Sequence, residues 1–268
     1  MVQPARPADR ANPIIGEGYY IDHTQNTSFY SWQTSVRKRF SHSFSGSFHY
    51  TWGKALTAGG GGDIGSYYQG DNPIRVQDFF NPRADRGPST GDVTHYAAAE
   101  WIYELPGLRD MQQAWLRQAL GGWQLTGVFT GQSGDALYIS QSSPLEGSRA
   151  DYIGGNPVLS DYSKTLRYLN RDAFGRVPVS TVSGLPVRPG NVGVGAVRGP
   201  GLWNIDLGIG KEFPIVERVR LRVRADMFNA LNHTNLSGLV TEVTNASFGV
   251  LRSTRGSRVI QLNARLNW

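Results

Sequence analysis

Hydrophobic and polar residues alternate with a period of two in seven segments of the chain, which predicts β-strands with one apolar and one polar face. From Phe44 to Lys54, Phe44, Gly46, Phe48, Tyr50 and Trp52 interleave with Ser45, Ser47, His49 and Thr51. The preceding run, Phe29 to Phe40, sets Tyr30, Trp32, Thr34, Val36 and Phe40 against Ser31, Gln33, Ser35, Arg37 and Arg39. Only Ser41, His42 and Ser43 separate the two, so they form a hairpin. The same alternation recurs from Ala97 to Leu105, Trp123 to Thr130 (with Val128 on the polar side), Trp203 to Phe213, Val219 to Met227 and Ile260 to Trp268. Segments of about 10 to 12 residues exceed the usual strand of roughly 5 to 6.

Proline cannot donate to a sheet ladder and supplies an independent check. All fourteen prolines lie outside these segments, with Pro106, Pro200 and Pro214 read as just beyond strand ends. Short connections (Ser41 to Ser43, Pro214 to Arg218) alternate with long ones (Ala55 to Val93, Gln132 to Gly201, Leu231 to Ser257) rich in Gly, Pro, Asn and Ser. Loops above about 15 residues are usually functional or disordered. Leu108 to Leu120 reads as a helix with Leu108, Met111, Trp115 and Ala119 on one stripe, expected to pack at an interface.

The position of charge separates a membrane barrel from a soluble sandwich. Charges on the apolar face fall near strand ends, at Lys38, Lys54, Lys211 and Arg258, whereas Glu100, Asp206, Arg222, Arg224 and Arg265 point the other way. A charge facing lipid at the midplane costs roughly 2 to 4 kcal/mol and about 0 to 1 near the interface, which matches this gradient. Aromatic residues at the segment ends resemble two interfacial girdles, and ten residues tilted by roughly 40° span about 25 Å. A soluble β-sandwich remains open as the alternative, although it has no need to keep charge off the middle of one face.

Composition then gains meaning. The 268 residues have a mean hydropathy of -0.36 and no run near the roughly 18 apolar residues of a membrane helix, yet only alternate residues of a barrel need to be apolar. The net charge of +6 lies on the polar faces, at strand ends and in loops, not beside stacking aromatics as in a nucleic-acid site. Residues 1–28 read as an N-terminal loop segment that carries no signal peptide, and 29–268 as the barrel domain. Barrels of this kind have short periplasmic turns, long external loops and even strand numbers from eight upward. Seven strands therefore predict a C-terminal part of a longer barrel; Ile14 to Asp22 is a weaker candidate for an eighth.

Six stretches carry a family likeness: SVRKRFSHSFSGSFHYTWGKAL, NPRADRGPSTGDVTHYAAAEWIYELPG, LGGWQLTGVFTGQSGDAL, VRGPGLWNIDLGIGKEFPI, RLRVRADMFNALNHTNL and FGVLRSTRGSRVIQLNARLNW. In this order they resemble the C-terminal barrel region of TonB-dependent receptors of the Oar-like type, over about Phe29 to Trp268. The resemblance implies a 22-stranded barrel in the outer membrane of a Gram-negative-type bacterium, surrounded by its lipid. It implies partner strands and an N-terminal plug that this sequence lacks, and energy coupling through the inner-membrane TonB complex. Trp268, after Leu262, Ala264 and Leu266, resembles the C-terminal signal read by the barrel assembly machinery. Uptake of an extracellular ligand is the implied function; a surface or adhesion barrel that only anchors is the alternative.

Catalytic and cofactor chemistry is not expected. His23, His42, His49, His95 and His233 never take a metal-binding spacing, and the chain has no cysteine. Gly59 to Gly65 and Gly193 to Gly199 read as flexible loops, since neither fits a nucleotide-binding glycine motif. Gly131 to Asp135, GQSGD, lacks the second glycine of a nucleophile elbow. Asn26, Asn232, Asn235 and Asn245 match an N-glycosylation pattern without the context that would use it. Lumen-facing candidates are Arg220, Arg222, Arg224, Asp226, Asp206 and Glu100. The three arginines read either as attractors of an anionic solute or a plug, or as hydrated groups paired with Asp206 and Asp226 on neighbouring strands.

Overall fold

All seven alternating segments are strands in the computed structural model, which describes residues 26–58, 77, 81–89, 91–105, 113, 116, 121–143, 148–182, 184–216 and 218–268. In chain order the strands are β1 (Thr27–Ser41), β2 (Phe44–Ala58), β3 (Arg86–Pro88), β4 (His95–Glu104), β5 (Trp123–Gln132), β6 (Ala136–Leu137), β7 (Asp151–Tyr152), β8 (Phe174–Gly175), β9 (Val197–Arg198), β10 (Leu202–Val216), β11 (Val219–Phe228), β12 (Asn235–Leu239), β13 (Leu251–Arg255) and β14 (Val259–Asn267). The long strands lie side by side as β1, β2, β4, β5, β10, β11 and β14, and each neighbouring pair is antiparallel.

Register keeps the two faces distinct across the sheet. Val36, Phe48, Ala99, Phe129 and Ile205 form one row, while Arg37, Ser47, Glu100, Val128 and Asp206 form the row beside it on the opposite face. A slip of one residue in any pairing would carry charge onto the apolar side. His42 and Ser43 both have positive φ, the twist a two-residue hairpin requires. Within the described residues β1 runs from Thr27, and Thr27 and Ser28 pair with Thr57 and Leu56.

Pro214 departs from expectation, because it lies within β10 and not beyond it. Among the described residues β10 pairs with β5 from Leu202 to Lys211, so Pro214 lies beyond that ladder, opposite Arg220 of β11, and the register shifts between Pro214 and Val216. The end of a ladder and a bulge are settings in which a strand tolerates proline.

On the apolar face Trp101 stands between Gly46 and Gly127. A Cβ at Gly127 would lie 2.1 Å from the indole, so the ring rests directly on the bare backbone of β5. Cross-strand aromatic cover of this kind contributes up to about 1 kcal/mol. Gly127→Val is expected to lift the ring, lower the unfolding free energy by about that amount and shift the tryptophan emission; an unchanged spectrum would count against the contact.

The apolar core lies outside this sheet. Ile139, Ala150, Tyr168, Leu169, Phe174 and Val197 from residues 133–201 pack with Val243, Phe248 and Leu251 from residues 229–258. Phe174 meets Phe248 edge-on at 5.5 Å, and Tyr162 meets Tyr168 at 4.9 Å. Backbone bonds join the two segments, from Tyr168 N to Gly249 O at 2.7 Å and from Val243 N to Ser140 O at 2.8 Å. Both segments leave the end of the sheet opposite the short turns, and together they form a folded cap there.

One loop expectation changes, and three others are not tested. Residues 193–199 are not a flexible loop: Val194 and Val197 are buried, and β9 pairs with β6. Glycine composition hid the apolar residues threaded between the glycines. The candidate strand Ile14 to Asp22, the glycine run 59–65 and nearly all of the Leu108 to Leu120 helix lie outside the described residues.

Candidate functional site: the polar wall and the external cap

The polar face carries the predicted residues, though their pairings differ from those expected. Arg224 Nε donates to Asp226 Oδ1 at 2.7 Å within the same strand, and Arg224 Nη2 reaches Thr126 Oγ1 at 3.1 Å on β5. The reason is the period of two, which sets Arg224 and Asp226 side by side on one face. Arg220 donates to Glu212 at 2.9 Å across the β10/β11 pair. Among the described residues Asp206 takes no arginine; it accepts from Asn204 Nδ2 at 2.7 Å and from the Asn229 backbone at 2.8 Å. Glu100 accepts from Ser47 Oγ at 3.0 Å. Arg222 stands opposite Arg265 and opposite Glu212, with no ion-pair partner among the described residues. The wall is therefore hydrated and mixed in charge, with an excess of guanidinium groups on β11 and β14.

Lys211 shows how charge survives on the other face. Its ammonium donates to the Gly121 carbonyl and lies over the rings of Trp123 and Phe213, at 5.6 Å and 4.9 Å. Lys38 is likewise 5.3 Å from the Phe44 ring. Both sit at the short-turn end, where aromatic faces and carbonyls replace water as partners.

Asn235, which the sequence offered only as a glycosylation pattern, and Asn229, which it did not single out, tie the wall to the cap. Asn235 Nδ2 donates to Trp203 O at 2.8 Å, and Trp203 N donates back to Asn235 Oδ1 at 3.0 Å, so one amide replaces a missing strand partner. Buried Asn229 donates through Nδ2 to His233 O at 2.8 Å and Gly256 O at 2.7 Å. His233 stacks on Trp203 with centroids 4.0 Å apart. His95 Nδ1 bonds Tyr50 Oη at 2.7 Å, and no group of potential metal ligands occurs among the described residues. Ser133 of GQSGD accepts from His95 N at 3.1 Å, a strand-end bond.

Three Arg and Asp pairs brace the cap. The Arg149 guanidinium donates to Asp85 with both side chains almost wholly buried, and Gln77 clamps the pair by donating from its backbone to Asp85 Oδ2 at 2.9 Å. Gln77 Oε1 also accepts from Arg149 N at 2.7 Å and Gly190 N at 3.1 Å. Arg198 Nη2 donates to Asp92 Oδ2 at 2.5 Å, and Asp92 Oδ1 takes the Ala55 N–H at 2.6 Å, joining the top of β2 to β9. Arg188 binds Asp151 through two bonds of 2.8 and 2.6 Å. Burial pushes the phenols of Tyr138 and Tyr168 up to about 12, so both stay neutral; Tyr168 donates to Arg198 O at 2.9 Å. Sequence reading missed these braces, although Asp85, Asp92 and Arg198 stand in the stretches NPRADRGPSTGDV and VRGPG.

The Asp151 carboxyl is held below the usual range, first by the Arg188 hydrogen bonds and further by the Asn191 N–H. A depressed folded pKa means stability that is present at neutral pH and lost as pH falls through the folded value. Asp151→Asn is therefore expected to loosen the cap at pH 7, with the difference from the parent vanishing below the carboxylate range. Thermal unfolding at stepped pH checks this, and a difference that persists at low pH would contradict it.

A family model described as the outer membrane beta barrel domain matches residues 2–261. The chain belongs to this family. It is an outer-membrane β-barrel protein, and a charge-free middle on one strand face is what such a barrel turns toward lipid. No curated protein and no solved structure matches the chain. With the long connections outside, as in barrels of this class, the braced cap faces the cell exterior and the short turns face the periplasm.

Proposed function

We propose that this chain is the C-terminal wall and outer face of an energy-coupled receptor that binds an extracellular ligand and imports it, in the manner of the TonB-dependent Oar-like receptors it resembles. One observation carries the reading: the external segments fold on their own apolar core and on buried Arg and Asp pairs. A membrane anchor needs no such ordered surface, whereas a receptor needs rigid external groups to select a ligand. An open recess of about 370 Å³ in the cap, lined by Arg171, Phe174, Arg176, Val243 and Thr244, offers cationic and aromatic contacts. No catalytic or cofactor role is assigned.

The sheet ends at β1 and β14, which do not pair with one another. Unpaired strand edges are not viable in lipid, so further strands complete the barrel, 22 in all by the resemblance, around a plug that meets the TonB complex. The excess of arginine on β11 and β14 suits an acidic plug surface or anionic solute. Trp268, with Leu262, Ala264 and Leu266 before it, is the proposed contact of the barrel assembly machinery.

The test is binding of the periplasmic domain of TonB to the full-length protein assembled in the outer membrane. Capture of that domain is the expected result. A correctly assembled protein that fails to capture it is a surface or adhesion barrel instead.

A further inference from the structure

The run from Val243 to Trp268 contains Arg252, Arg255, Arg258 and Arg265 and not one carboxylate side chain. Arg255 closes β13 and Arg258 immediately precedes β14, so the two flank a turn of Gly256 and Ser257 at the external end of the wall. Both are exposed, and neither has an ion-pair partner among the described residues.

The turn that carries them is fixed in place. Gly256 adopts a φ of 63°, open to an L side chain only with strain, and its carbonyl accepts from Asn229 Nδ2 at 2.7 Å. Asn229 is itself buried and bonded to Asp206 on β10. Two guanidinium groups on a pinned turn bind an anion with less ordering cost than two on a free loop.

Immediately below them the wall is apolar. Arg258 has the same strand parity as Ile260, Leu262 and Leu266, which are 57%, 79% and 50% exposed. A cation directly above a column of exposed aliphatic side chains fits an amphiphile whose acyl chains lie along β14 and whose anionic head meets the arginines. Guanidinium matches phosphate oxygens through paired, charge-assisted hydrogen bonds.

We propose that Arg255 and Arg258 hold the phosphorylated headgroup of an outer-leaflet lipid. The inference rests on the outer-membrane placement and the outward long loops, and not on import.

Protein extracted from the outer membrane in mild detergent is exposed to equal amounts of diphosphorylated and dephosphorylated lipid A, and bound lipid is counted by native mass spectrometry. Wild type is expected to retain the phosphorylated form about tenfold more; equal retention overturns the proposal without any variant. The pair Arg255→Gln with Arg258→Gln is expected to lose that preference, while Arg265→Gln, on the lumen face of β14, keeps it. Unchanged preference in the double variant, with heat-modifiable migration confirming assembly, overturns it as well. Full displacement by inorganic phosphate at equal phosphate concentration would mean a site for the free anion. None of these readouts depends on TonB capture, so either reading can fail alone.

Discussion

Replacing Asp85 with alanine is expected to release the external cap while the barrel wall stays assembled. The Arg149 and Asp85 side chains are 4% and 0% exposed, so removing the carboxylate leaves a buried cation without its counter-charge. Breaking one side of a buried ion pair costs roughly 3 to 5 kcal/mol, more than most local segments have to lose. Among the described residues the Arg149 side chain then retains its bond to Ala84 O at 3.1 Å, and its Nε has no partner there even now. Gln77 loses its contact with Asp85 at the same time, which loosens its hold on Gly190. The check is limited proteolysis of intact cells. The variant is expected to be cut within residues 148–201 at least tenfold faster than the parent, with unchanged heat-modifiable migration. Asp85→Asn keeps an acceptor but not the charge and should fall between. Equal cleavage of all three would show that the pair does not hold the cap.

The wall was legible in the sequence and the cap was not, for one physical reason. A strand between lipid and water is ordered by solvent on both faces, so each residue of β11 or β14 declares its environment through its own polarity. Leu221, Val223 and Ala225 alternate with Arg220, Arg222 and Arg224 regardless of what lies elsewhere in the chain. The cap is ordered by contacts between distant segments. Asp85 and Arg149 are 64 positions apart, and Asp92 and Arg198 are 106 apart, with no local period linking them. The same limit explains the candidate site. That Arg224 lies on the polar face follows from parity, and Asp226 was expected among its partners, but across a strand boundary, whereas it stands two residues away on the same strand. Asn229 and Asn235 look like ordinary turn residues until their amides are seen to bond the backbone of the wall.

Leu262→Arg tests the lipid face most directly when set against Asn263→Arg, its neighbour on the same strand. Leu262 is 79% exposed and lies opposite Ala225, in the row that continues through Ile209 and Leu125. In water an exposed leucine replaced by arginine costs almost nothing, and solubility improves. In the bilayer midplane the same change costs roughly 2 to 4 kcal/mol, because the guanidinium must drag water or headgroups inward. Asn263 points to the hydrated face, beside Arg224, where another arginine adds only repulsion between exposed groups. The expected result is a several-fold drop in assembled Leu262→Arg protein, seen as loss of the heat-modifiable band from outer membranes, against near-parental levels of Asn263→Arg. A reversed order, or equal tolerance of both, would place the apolar face somewhere other than in lipid. Because the two substitutions introduce the same side chain one position apart, the incoming group and the net charge are matched. The difference between them therefore reports the solvent on each side of the wall.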